Sequence, residues 1–74
     1  MNRFDYGKLR ERIRDKQATQ TDLANALNLS KKTISLKMNG KISWKQEEIF
    51  KLLQFLDIPS EQVSDYFFTL KVLN

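Results

Sequence analysis

Apolar and polar positions alternate along the chain with a helical period over most of its length. Leu9 and Ile13 stand four apart in a charged stretch, which predicts an amphipathic helix over residues 6–16 with Asp5 as its N-cap. Leu23, Ala24 and Leu27 predict a second helix over 20–27. Thr19 is its N-cap, and Asp22 is placed to reach back and complete a capping box. Asn28 is the best non-glycine residue for a left-handed turn. Leu29 then plugs the core and Ser30 caps a third helix over 31–38, with Ile34 and Met38 inward. Asn39-Gly40 is a stop signal.

Beyond it, Ile42 is expected to pack into the core, and Ser43 with Gln46 to form the capping box of a fourth helix that runs to about residue 56. Ile49, Leu52, Leu53 and Leu56 give that helix its i, i+3, i+4, i+7 stripe, which Phe50 and Phe55 are expected to widen. Pro59 suits the first turn of a fifth helix that ends near residue 67, with Val63 and Phe67 inward. In the tail, 68–74, Phe68, Leu70 and Val72 alternate with Thr69, Lys71 and Leu73, a pattern open to a strand, a helical extension or a loose arm. The prediction is one all-α domain over 1–74, a size that leaves room for a single small core.

Composition narrows the chemistry. The 74 residues include no cysteine, so no disulfide, thiolate nucleophile or cysteine zinc site is expected. Histidine is absent too, and with it the commonest general base and metal ligand. Glu47 and Glu48 are neighbours, so on a helix they diverge and make no acid–base pair. No catalytic residue, cofactor, metal or small-molecule substrate is therefore expected, and the chain reads as a non-enzyme. No apolar run reaches the roughly 18–20 residues that span a bilayer, and the opening MNRFDYGKLRERIRDK is too charged for a signal peptide. A soluble intracellular binding domain is the expectation.

Charge is uneven along the chain. Residues 1–22 carry +2, residues 23–46 carry five lysines and no acid, and residues 47–74 carry −3. The middle third is thus suited to a polyanion, and the last third has the opposite sign.

The segment 19–40, TQTDLANALNLSKKTISLKMNG, has the layout of two short helices joined by a tight turn, with a small residue, Ala24, where they cross. Gln20, Leu23-Ala24, Leu29-Ser30, Ile34-Ser35 and Asn39-Gly40-Lys41 at these spacings resemble the Cro/CI-type (XRE) repressor family, and the resemblance covers most of the chain. It departs from the family pattern at Asn28, where glycine is usual, and at Leu36-Lys37-Met38, which leaves Leu36 toward the recognition face.

The resemblance implies a compact five-helix Cro/CI repressor-like domain with a helix-turn-helix at 20–38. The helix over 31–38 would lie in the major groove of a double-stranded operator. By position, Lys31, Lys32, Ser35 and Leu36 fall where base edges are read, and Gln20, Ser30, Thr33, Asn39, Lys41 and Lys45 where the DNA backbone is held. Plainer roles stand beside these: Gln20 and Ser30 as caps only, Lys31 and Lys32 as solvated surface, Leu36 as core edge, Trp44 as a lid on the core.

Two functions follow from the resemblance. One is a Cro-like repressor of a temperate-phage-type switch, a homodimer in the cytoplasm of a bacterial host. The alternative is a small antirepressor that docks a partner CI-type repressor. Leu36, Trp44, Tyr66, Phe68 and Leu70 are the candidate protein-contact residues.

Overall fold

The computed structural model describes residues 3–72. Among them the elements are five α-helices and one 3-10 turn: α1 Gly7–Asp15, α2 Gln20–Leu27, α3 Lys31–Met38, α4 Gln46–Phe55, the turn Ser60–Gln62, and α5 Val63–Phe67. The all-helical expectation therefore holds, and the first three helices fall within a residue or so of their expected limits.

One core joins all five helices. Leu9 of α1, Leu23 of α2, Ile34 of α3, Leu52 of α4 and Phe67 of α5 are sealed from solvent, as is Leu56 just past α4. Ile13, Leu29, Ile49, Val63 and Trp44 pack against this core while partly exposed. Burial of these apolar faces, more than helix propensity, stabilises helices only five to ten residues long.

Local chemistry sets the helix ends. The N-cap of α1 is Tyr6, without a side-chain cap bond, and not Asp5 as expected; the Asp5 carboxylate, one position further out, accepts the Gly7 N–H at 2.8 Å. The Thr19 hydroxyl accepts the Asp22 N–H at 3.1 Å, and the Asp22 carboxylate accepts the Thr19 N–H at 2.8 Å, the capping box expected for α2. Gln17 and Asp57 close α1 and α4 in the left-handed region, at φ 57° and 54°.

Four further expectations are corrected. Ile42 is 42% exposed and is not a core residue. Phe50 and Phe55 also face solvent, because they flank the 3.6-residue stripe of α4 instead of widening it. Helix α4 starts after Lys45, whose N–H donates to Glu48 Oε1 at 2.8 Å, so the expected Ser43–Gln46 box gives way to this single reach-back bond two residues later and Trp44 precedes the helix. Pro59 stands ahead of a 3-10 turn and not inside an α-helical first turn.

The tail resolves toward the extended alternative. Phe4 and Leu70 form an isolated antiparallel bridge. The Asp5 N–H donates to Thr69 O at 2.7 Å, and the Lys71 N–H to Arg3 O at 2.9 Å. Phe68 meets Phe4 edge-on, ring centroids 5.9 Å apart. Leu73 lies outside the described residues.

Candidate interaction face

Helices α2 and α3 pack against each other across a three-residue turn. Asn28 adopts φ 56°, ψ 45°, the left-handed conformation its short polar side chain tolerates. The chain then reverses so that the Leu29 N–H reaches Ala24 O at 2.9 Å, and Leu29 drops against the core. Ser30 caps α3: its Oγ accepts the Thr33 N–H at 3.1 Å and donates to Thr33 Oγ1 at 2.9 Å. Both hydroxyls expected at a DNA backbone are thus engaged with each other.

Lys31 and Lys32 project from the first turn of α3 into solvent. Among the described residues the ion pairs are Lys8–Asp65, Lys16–Asp57 and Lys37–Glu48, so neither Lys31 nor Lys32 has an acidic partner. Lys41 and Lys45 are exposed as well. Ser35 and Leu36 are half-buried. On the flank toward α1, Arg10 donates through Nη2 to Met38 O at 2.6 Å and to Asn39 Oδ1 at 3.3 Å. Asn39 in turn donates to Ser35 Oγ at 3.4 Å. Arg10, Gln20 and Asn39 share a groove of about 230 Å³ floored by Ile13, Leu23 and Met38. The structure thereby brings Gln20 and Asn39 together, with Arg10, which the sequence reading did not single out.

Lys37 is the second residue missed. It is 3% exposed on the inner side of α3. Its Nζ donates to Ser43 O at 2.9 Å, lies 2.9 Å from Glu48 Oε1, and sits 5.9 Å from the Trp44 ring centroid. Burial pushes the Glu48 carboxyl up, but the hydrogen bonds from Lys37 and the Lys45 N–H, with the charges of both lysines, outweigh it and hold the carboxyl below its ordinary value of 4.5. One of the five lysines of the middle third is therefore spent internally.

The apolar candidates divide. Trp44 is half-buried and stands edge-on to Phe67 at 5.9 Å, which makes it a lid on the core. Its indole N–H is buried without an acceptor among the described residues. Tyr66 is buried, so it belongs to the core and not to a docking surface. Phe68 and Leu70 are exposed beside Phe4, and Leu70 is 61% exposed.

A family model described as a protein of unknown function (DUF739) matches residues 2–70. No curated protein matches the chain. Among solved structures, the chain is similar to the solution structure of the modulator of repression (MOR) of the temperate bacteriophage TP901-1 from Lactococcus lactis. The two are 40% identical over 95% of each chain, with a TM-score of 0.74.

Proposed function

The chain belongs to the DUF739 family, and from its likeness to a phage modulator of repression we propose that it is a small modulator of repression in a temperate-phage-type genetic switch, acting by protein–protein contact with a partner repressor. The observation that carries this reading is the likeness to a phage modulator of repression over nearly the whole of both chains. The α2–turn–α3 unit then serves as a helix-turn-helix of the Cro/CI type turned to a protein partner, in the cytoplasm of a bacterial host. Features of the surface suit such a role. Phe68 and Leu70 offer exposed apolar anchors, and interface energy concentrates in such groups when a partner desolvates them. Leu36 is half-buried and Ile42 exposed, and the Leu36 carbonyl accepts the Ile42 N–H at 3.4 Å, which brings the two residues' backbones together just past α3.

The deciding experiment mixes the purified chain with a CI-type phage repressor from the same source. A defined complex by calorimetry, together with a changed repressor–operator gel shift, is expected. Two folded proteins that give no heat and no change in operator occupancy would sink the reading.

A second reading, direct operator binding as a Cro-like repressor, is favoured by one observation: Lys31 and Lys32 are exposed without acidic partners. If about five phosphates are neutralised per protomer, log K should fall against log salt with a slope of about −4 to −5. Absence of a shift at low salt would remove this reading and leave the first intact.

A further inference from the structure

The buried Lys37–Glu48 pair lies outside both readings, and its geometry bears on what α3 presents to a partner. An inward helix face is normally held by three or four apolar side chains over two turns. Helix α3 has two, Ile34 and Met38, which point about 40° apart around the helix axis. Two anchors so close in direction do little to fix the roll of the helix, and the Arg10 bonds to Met38 O and Asn39 Oδ1 hold only its C-terminal end. Lys37 projects about 60° to one side of Ile34, and Ser35 about 100° to the other. Turning Lys37 outward toward solvent would carry Ser35 inward.

Three contacts prevent that. Ser43 O and Glu48 Oε1 each lie 2.9 Å from Lys37 Nζ, and the Trp44 ring covers it. Glu48 is itself fixed by the Lys45 N–H at 2.8 Å, so the roll of α3 is referred to the start of α4.

We propose that Lys37 and Glu48 are a positioning pair that sets the roll of α3 and thereby which side chains, among Lys31, Lys32, Ser35 and Leu36, face a partner. The consequence for binding rests on the modulator reading; the roll itself does not. A buried ion pair is a weak source of stability but suits a role in choosing one arrangement over another.

The chain has no cysteine, so Ser35→Cys introduces a unique thiol whose labelling rate reads the roll with no partner present. In that background, Glu48→Gln keeps the side-chain volume and an acceptor for the Lys45 N–H but leaves Lys37 buried without a counter-charge. Labelling is expected to slow severalfold as position 35 turns inward. Adding Lys37→Met removes the stranded charge, and the native rate is expected to return. Glu48→Asp, with its carboxylate drawn back, gives the same change at smaller amplitude and decides the matter if Glu48→Gln does not fold. Unaltered labelling in the folded Glu48 variants overturns the proposal, as does a slowed rate that Lys37→Met fails to restore. Repressor affinity measured on the same variants should follow the labelling. If affinity falls while labelling stays constant, the pair does not act through roll. If labelling shifts but the native chain binds no repressor, the positioning pair stands and the modulator reading falls.

Discussion

Asn28 holds a backbone conformation that costs most residues free energy, with φ at 56°. Asn28→Gly should leave stability within a few tenths of a kcal/mol, whereas a β-branched residue there should cost about 1–2 kcal/mol. The shift of the urea midpoint checks both. Asn28 was legible because a lone Asn between an apolar helix face and a Ser cap has few other uses. Lys37 was not: in sequence it reads as a solvated charge, and its partner Glu48 lies in another helix. Glu48 also makes stability depend on pH. Its folded carboxyl sits below the ordinary 4.5, so its contribution is complete above that value and is lost as pH falls through the folded value. Acid unfolding followed by the single Trp, which covers the pair, should begin at higher pH in the native chain than in a Glu48→Gln chain matched for stability at pH 7.

Helix starts and faces decide the next level. The Thr19–Asp22 box satisfies two backbone donors at the head of α2, so Thr19→Ala should cost about 1 kcal/mol by chemical denaturation. Phe50 of α4 is 59% exposed, and Phe50→Gln should leave stability within about 0.5 kcal/mol by the same measurement. The two cases also mark what the sequence could say about elements. Thr-x-x-Asp names its own partners, and α2 starts where expected. Ser43–Gln46 had the same form but lost to Lys45–Glu48, because Glu48 is drawn into place by Lys37 across the core. Phe50 was misplaced because the period locates the stripe through Ile49 but does not say how wide a face of the helix the core covers.

For the whole molecule, the order of five helices follows from period and punctuation, and the packing of one core follows from their stripes. The alternation of residues 68–72 left a strand open, but its pairing with residues 3–5 was out of reach, since the partners are separated by nearly the full chain and the first segment has no periodic signal of its own. That pairing leaves Phe68 and Leu70 exposed against Phe4. On the modulator reading, Leu70→Ser should leave the thermal midpoint within experimental scatter and weaken repressor binding by about 2 kcal/mol if Leu70 is an energetic anchor. Calorimetry on the native and substituted chains measures it. Unchanged affinity would assign the contact to the α3 side instead.

The antiparallel bridge between Phe4 and Leu70 has a practical corollary. Any tether fused ahead of Arg3 or beyond Lys71 departs from the same pole, beside Phe68. An affinity handle at either end therefore shadows one set of aromatic groups, and moving it from one end to the other gives no relief. A handle inserted at the exposed bend near Lys41, or cut off before measurement, keeps that pole open.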